Sequence, residues 1–296
     1  MRMRRTDLAL EARELWQEGA ERTDALPGVE AWESLREGIP VSTVQVLDQA
    51  GERALGKPRG RYVTLTLEGL ASRAEDIFSR SVHAVAAELT QLMADLPQNG
   101  LVLVAGLGNR AITPDAIGPK VRQHTLVTRH LVRQMPEHFG ALRPVASVAA
   151  EVLGETGVES GELVRAVCEK LRPACVVAVD ALASRSLKRL CRTVQLADTG
   201  ITPGSGVGNH RMGLTRESLG VPVIAVGVPT VVDGATLAAD LLGTDDLPNL
   251  EGDSSLLVTP KDIDSQVSDL SKVVGYGLSM ALQPGMALEE LELLLS

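Results

Sequence analysis

Residues 101–120, which read LVLVAGLGNRAITPDAIGPK, constrain the fold of this chain more than any other segment. The segment begins with the continuous apolar run of a strand buried on both faces, and Gly106, Gly108 and Asp115 follow within a few positions. Such strands occur in parallel sheets covered by helices, and ligands bind beyond their carboxyl ends. The segment therefore predicts an α/β fold with a site just after this strand.

A second strand of the same kind, ACVVAVD at residues 174–180, ends directly in an acid, Asp180. An acid in that position usually faces the crevice where ligands bind. Asp115 has a structural alternative, because an aspartate after Thr113 and Pro114 can cap a helix. Two carboxylates at strand ends of one sheet suggest acid–base hydrolysis.

Strands and helices alternate over the central part of the chain. That alternation predicts a mixed, mostly parallel sheet with helices on both faces, preceded by an N-terminal hairpin. The predicted strands span residues 41–47, 61–67, 101–106, 144–148, 174–179, 191–197 and 222–228, and the predicted helices span 8–21, 73–95, 119–135, 161–171 and, closing the chain, 261–282.

Composition excludes several classes of protein. With 44% hydrophobic residues over 296 positions, the chain is globular. A net charge of −9 and only 2% aromatic residues argue against a direct nucleic-acid partner. Without an apolar run of roughly 20 residues or a secretory signal at the start, we expect no membrane association and a cytoplasmic location.

A glycine-dense loop at residues 199–209 follows another strand end. It could present backbone N–H groups to a substrate backbone or to an oxyanion, or it could be a simple connector. Ser205 lacks the flanking residues of a nucleophile elbow, so a serine hydrolase is disfavoured. The candidate substrate-binding residues in this loop are Gly204, Ser205, Gly206, Gly208 and Asn209.

Cofactor sites find little support in the sequence. The Gly106–Gly108 pair resembles the start of a dinucleotide fingerprint, but the third glycine is missing. These glycines therefore indicate a tight turn with positive φ or a close backbone approach. The five histidines form no HExxH pattern, and three irregularly spaced cysteines suit neither a zinc knuckle nor a disulfide framework. We expect no metal and no cofactor.

Several segments together resemble the germination proteases of spore-forming bacteria, which degrade small acid-soluble spore proteins. The resemblance spans nearly the whole chain. The matching stretches are RTDLALEA (5–12), GRYVTL (60–65), GLGNRAITPDAIGP (106–119), TRHL (128–131), ETGVES (155–160), VDALASRS (179–186), DTGITPGSGVGN (198–209), LGVPVIAVGVPTVVD (219–233) and VTPKDID (258–264).

The resemblance implies a set of expectations. The family's two essential aspartates correspond to Asp115 and Asp180, and its fold is similar to that of hydrogenase maturation proteases. Family members are homotetramers made as zymogens in the forespore. They remove a short N-terminal segment themselves, by a cut that falls here between Asp7 and Leu8. Residues 1–7 would then be a propeptide and residues 8–296 a single α/β peptidase domain.

The chemical hypothesis is a two-carboxylate endopeptidase in which Asp115 and Asp180 share one proton and activate water. The sequence leaves open which aspartate is the acid. It also leaves open a metal-dependent peptidase that uses the same carboxylates, and a non-catalytic, phosphate-binding α/β protein that uses the glycine loops.

Overall fold

The computed structural model describes residues 6–20, 26–205, 211–244 and 256–295. Within these ranges, apolar strands alternate with amphipathic helices, as the sequence predicted. The strands are β1 Val29–Arg36, β2 Ile39–Val46, β3 Gly60–Thr66, β4 Val102–Leu107, β5 Val145–Ala150, β6 Cys175–Ser184, β7 Thr193–Ala197, β8 Val223–Asp233 and β9 Leu257–Val258.

The helices surround these strands, and a short 3₁₀ turn, Thr113–Asp115, precedes the fourth of them. They are α1 Ala9–Ala20, α2 Gln49–Leu55, α3 Ile77–Leu92, α4 Ile117–Gln123, α5 Arg129–Gln134, α6 Pro136–Phe139, α7 Leu153–Thr156, α8 Ser160–Leu171, α9 Arg216–Leu219, α10 Gly234–Leu242, α11 Ile263–Leu282 and α12 Leu288–Leu295. None of these helices is long and apolar enough to cross a membrane.

The described strands form one mixed sheet in the order β1-β2-β3-β7-β8-β6-β4-β5, with β9 added to β8. The four strands β8, β6, β4 and β5 run parallel to one another, whereas β1, β2, β3 and β7 join by antiparallel pairing. The predicted α/β class and mixed sheet are confirmed.

The predicted N-terminal hairpin is right in its pairing and wrong in its connection. Strands β2 and β3 pair antiparallel, but helix α2 lies between them in the chain. Asp48 starts this helix by accepting hydrogen bonds from Ala50 N and Gly51 N, and Gly56 ends it in the left-handed conformation. Strand β1, which we did not predict, adds to the outer edge of β2.

Two helix predictions need correction. The helix predicted over residues 119–135 is divided into α4 and α5, because buried Thr128 bonds to the start of β5 instead of continuing the helix. Its Oγ1 donates to Arg143 O and accepts from Val145 N. The chain also does not close with α11: Gly285, at φ +95°, turns it into α12.

The buried side chains lie on both faces of the sheet. Helices α3, α4 and α11 cover one face, where their apolar residues pack on Val104, Val177 and Val226. Helix α8 covers part of the opposite face over Leu103 and Val176, and helices α1 and α2 cover the rest. The central strands are buried on both sides, which explains their uninterrupted apolar sequences.

Strand β6 is longer than its neighbour β4. Pairing between them ends at Gly106 with Val179, whereas β6 continues beside β8 as far as Ser184. A β-bulge between Leu182 and Ala183 accompanies this extension. The last residues of β6 therefore have a backbone edge that β4 does not cover, at the carboxyl end of the parallel strands.

Glycines allow α4 to lie directly on these strand ends. A Cβ at Gly118 would come within 2.3 Å of both Leu107 N and Leu107 O, and within 2.5 Å of Val179 O. A Cβ at Gly106 would come within 2.4 Å of Gly118 O. The close backbone approach predicted for this region is confirmed.

Replacing Gly118 by alanine tests how tightly this helix is held. The added methyl group has no room between the backbones of β4 and β6, so we expect the free energy of unfolding in urea to fall by about 1–3 kcal/mol or more. Gly154→Ala in α7 is the matched control, because a Cβ there meets nothing within 4 Å. Equal stabilities for the two variants would contradict the packing described here.

Candidate active site

Asp115 and Asp180 line one cavity of about 400 Å³ at the carboxyl ends of the parallel strands. Asp180 belongs to β6, and Asp115 ends the 3₁₀ turn that leads into α4. The cavity wall also includes Asp7, Gly204 and Arg211. The two acids singled out by the sequence therefore line the same cavity. The prediction that the strand ends at Asp180 is wrong, because β6 continues beside β8 as far as Ser184.

The turn after β4 sets the position of Asp115. Gly108 adopts φ +109°, and a Cβ there would come within 2.1 Å of Asp115 O. Asn109 N donates to Asp115 Oδ2 at 2.7 Å, so the carboxylate is held against the strand end. Ala116 occupies the N-cap position of α4 and makes no side-chain cap bond, so the helix-cap interpretation of Asp115 is wrong.

Asn109 is itself fixed in place. Its side-chain Oδ1 accepts from Ala111 N at 2.7 Å, and its Nδ2 donates to Glu155 Oε1 at 2.8 Å. This arrangement makes the turn between β4 and the 3₁₀ turn rigid, which orients the backbone N–H that binds Asp115.

Asp180 is the deeper of the two acids, with only 5% of its surface exposed. Its Oδ1 accepts a hydrogen bond from Ala181 N at 2.9 Å. Burial raises the pKa of Asp180 well above its usual range, and the nearby charge of Asp115 raises it further. Burial also raises the pKa of Asp115, but the hydrogen bond from Asn109 opposes that shift.

Arg211 supplies positive charge to the same cavity. Its guanidinium lowers the pKa of both Asp115 and Asp180, in each case less than burial raises it. We did not predict this residue from the sequence, since it follows the glycine-rich loop without any recognisable pattern. Among the described residues, the cavity thus combines the two acids Asp115 and Asp180, whose pKa values are raised to different extents, with the guanidinium of Arg211 and the carboxylate of Asp7.

The N-terminal segment enters the cavity beside the two acids. Asp7 N donates to Ala183 O at 2.9 Å, and Ala183 N donates to Asp7 Oδ2 at 2.8 Å. Asp7 therefore pairs with the edge of β6 that β4 leaves uncovered. Leu8, on the other side of the predicted processing bond, is completely buried.

Buried Glu11 anchors this segment one helical turn later. Its carboxylate accepts from Arg185 N at 2.6 Å, from Ser186 N at 3.1 Å and from Thr6 Oγ1 at 2.5 Å. It also lies 3.3 Å from Arg189 Nη1. Because residues 185 and 186 directly follow β6, the strand that carries Asp180 also holds the start of α1.

The glycine-rich loop contributes to the cavity through the residues that the structure describes. Gly204 lines the wall, and Ser205 Oγ donates to Asp7 Oδ1 at 2.8 Å. The other three candidates, Gly206, Gly208 and Asn209, lie outside the described residues.

Two further side chains that the sequence analysis missed contact the predicted processing bond. Lys57 Nζ lies 3.0 Å from Asp7 O, and Gln195 Nε2 lies 3.3 Å from the same oxygen. A buried glutamine inside the apolar strand β7 is a signal that could have found one of them. Lys57, in the turn before β3, carries no such signal.

The described residues offer neither a metal site nor a reactive thiol. Among the described residues, no group of three or more His, Cys, Asp or Glu side chains could hold a metal ion. Cys168, Cys175 and Cys191 are free and buried, and burial raises the pKa of each thiol.

Comparison with known proteins gives a consistent result. The family model described as germination protease matches residues 9–244. Germination proteases of Clostridium perfringens and Caldanaerobacter subterraneus are 43% and 42% identical to the chain, over 97% and 98% of both sequences respectively. That of Bacillus cereus is 34% identical over 94% of this chain and 93% of its own length.

The raised pKa of Asp180 predicts how stability depends on pH. The folded state binds this proton more tightly than the unfolded state, so the protonated carboxyl stabilises the fold at low pH and that stabilisation is lost as pH rises. We expect Asp180→Asn, which cannot ionise, to have a higher free energy of unfolding than the wild type at pH 7–8. The difference should vanish near pH 4. A constant difference across urea titrations at these pH values would contradict the shift.

Proposed function

The chain belongs to the germination protease family and is a protease, and on this premise we propose that it is an endopeptidase that initiates degradation of small acid-soluble spore proteins during spore germination. The observation that carries the proposal is the shared cavity of Asp115 and Asp180, with an acidic peptide residue, Asp7, bound beside them. The cavity accepts an extended peptide segment against a strand edge, as an endopeptidase requires.

The catalytic step follows from the different environments of the two acids. Two carboxylates in one buried cavity cannot both ionise at neutral pH, so the pair holds one proton. Asp180 is the more deeply buried acid and has the more strongly raised pKa, so it carries that proton. Asp115, stabilised as an anion by Asn109 N, is the base.

In the reaction, Asp115 removes a proton from water while the water oxygen bonds to the scissile carbonyl carbon. Asp180 donates its proton to the carbonyl oxygen as the tetrahedral intermediate forms. When the intermediate collapses, the carbon–nitrogen bond breaks, the proton held by Asp115 passes to the leaving amine, and one hydroxyl of the intermediate returns its proton to Asp180, which restores the singly protonated pair. Arg211 moderates the negative charge of the pair throughout.

The same site supports the proposal of a self-processing zymogen. Residues 1–7 form the propeptide and residues 8–296 the single peptidase domain, fold-similar to hydrogenase maturation proteases. Asp7 lines the cavity and Leu8 is buried. The pair also fits the substrate pattern that the family resemblance implies, an acidic residue followed by a large apolar one. We further propose, from the family resemblance, a homotetramer in the cytoplasm of the forespore that needs no cofactor.

Replacing either aspartate by asparagine tests the mechanism. Asp115→Asn removes the base and Asp180→Asn removes the acid, so each variant should lose at least about 100-fold in the rate of cleavage of a purified small acid-soluble spore protein. Gel electrophoresis of time courses measures the rate, and circular dichroism verifies the fold.

Asp95→Asn is the matched control for this experiment, because Asp95 is exposed and lies outside the cavity. It should cleave at the wild-type rate. If Asp115→Asn or Asp180→Asn did the same, that residue would have no part in the mechanism. Loss of activity with chelators, together with metal in the purified protein, would instead favour the metal-dependent peptidase.

Processing has its own test. Incubation of the full-length chain at mildly acidic pH, where the pair keeps its one shared proton, should release the peptide of residues 1–7. Mass spectrometry detects the corresponding loss. An active enzyme that keeps its full mass would show that the Asp7–Leu8 bond is not a processing site.

A further inference from the structure

The peptide bond between Asp7 and Leu8 is held by side chains other than those of Asp115 and Asp180. Lys57 Nζ and Gln195 Nε2 both approach Asp7 O, at 3.0 and 3.3 Å. Gln195 also accepts from Ala9 N through Oε1 at 2.8 Å. One glutamine side chain thus bonds to the backbone on both sides of Leu8.

The carboxylate of Asp7 has a separate set of partners. Ala183 N donates to Oδ2 and Ser205 Oγ donates to Oδ1, each at 2.8 Å. Two uncharged donors on the two oxygens select a carboxylate, because an asparagine in this position would turn its own N–H₂ group toward one of them. The binding of Asp7 N to Ala183 O adds the main-chain contact of a strand at a sheet edge.

Two cavities meet at this residue. The 400 Å³ cavity with Asp115 and Asp180 lies on one side of Asp7, and a second cavity of about 370 Å³ with Lys57, Tyr62 and Gln195 lies on the other. Asp7 and Leu182 line both. Asp7 therefore lies where the two cavities meet, and Thr6 before it lines the second cavity.

From these contacts we propose that Lys57, Gln195, Ser205 and the Ala183 backbone form the subsite for the acidic residue that precedes the cut bond, in this chain and in its protein substrates. Lys57 and Gln195 bind the carbonyl oxygen of that residue, and Ser205 and Ala183 N select its carboxylate. The N-terminal segment is a bound example of the substrate. This inference rests on the proposed function.

The charge on Lys57 suits it to this task. Burial lowers its pKa, while the charges of Asp7 and Glu11 oppose that shift. An ammonium group that has lost part of its hydration forms a stronger hydrogen bond to a carbonyl oxygen, and stronger still to the oxyanion that develops during attack. Lys57 and Gln195 would thus polarise the carbonyl group of the bond that is cut, before Asp180 protonates its oxygen.

The first experiment measures how fast the full-length chain releases residues 1–7, by mass spectrometry. Lys57→Met keeps the length of the side chain and removes the charge, so processing should slow about 100-fold. Gln195→Met removes a neutral donor and should slow it about 10-fold. Lys57→Arg restores a cationic donor and should recover part of the loss, whereas exposed Lys188→Met should process at the wild-type rate.

The second experiment tests the carboxylate contact by a double-mutant cycle. Asp7→Asn should slow processing about 10-fold, and Asp7→Glu, which keeps the charge, should slow it less. Ser205→Ala should slow the wild-type chain but have little further effect in the Asp7→Asn chain, because the two groups contact each other. Additive effects of the two changes would overturn the assignment of Ser205.

The third experiment separates binding of substrate from anchoring of the N-terminal segment. A synthetic peptide with the sequence of residues 3–12, MRRTDLALEA, is offered to each enzyme variant after processing. Lys57→Met should cleave it with a reduced kcat, while its free energy of unfolding in urea stays close to that of the wild type. Cleavage within about 3-fold of wild type, or a loss of stability that parallels the loss of rate, would overturn the proposal.

The outcomes also separate this inference from the proposed function. If Asp115→Asn and Asp180→Asn cleave normally, the two-carboxylate mechanism fails whatever Lys57 does. If they are inactive and Lys57→Met is fully active, only the subsite proposal fails. If the wild-type chain never processes but cleaves the peptide, the zymogen proposal fails, and the peptide rates alone decide on the subsite.

Discussion

The architecture of the site depends on the energetic cost of placing two carboxyl groups in one cavity away from water. Asp180 lies in β6, a strand buried on both faces, and its ionisation next to Asp115 costs much free energy. The arrangement is tolerated because the pair holds a proton and because each acid accepts a backbone N–H. In the mechanism that we propose, the proton that burial favours on the pair is also the proton that peptide hydrolysis requires.

The backbone around Asp115 and Asp180 is closely packed, which keeps the two acids near each other. Helix α4 lies on the backbones of β4 and β6 because Gly106 and Gly118 have no side chains, and Gly108 turns the chain so that Asp115 returns to the strand end. A looser turn would let the two carboxylates separate and ionise independently. The glycines therefore contribute to the site by keeping the turn that carries Asp115 close to β4 and β6, and not by binding a ligand.

The N-terminal segment occupies the site through contacts of the same kind as those that a substrate would make. It adds to the free edge of β6, and its acidic side chain and carbonyl oxygen are bound by separate groups. The strand extension that creates this edge also carries Asp180. Asp180 and the backbone of the N-terminal segment are thus aligned by one element, and buried Glu11 holds the segment against the residues that follow β6.

The sequence by itself determined the α/β class, the central strands and the choice of Asp115 and Asp180, although Asp180 lies within β6 and Asp115 lies in the 3₁₀ turn after β4. It could do so because fully buried parallel strands have unbroken apolar sequences and all end on one edge of the sheet. The division between α4 and α5 was not readable, since Thr128 prefers a partner at β5 that is distant in sequence. Nor were the roles of Lys57 and Arg211 readable, and Gln195, although its polar side chain stands out in β7, reaches the site because β7 inserts between β3 and β8. Contacts made across such an insertion depend on strand order, which local sequence does not encode, and only the tertiary structure decided them.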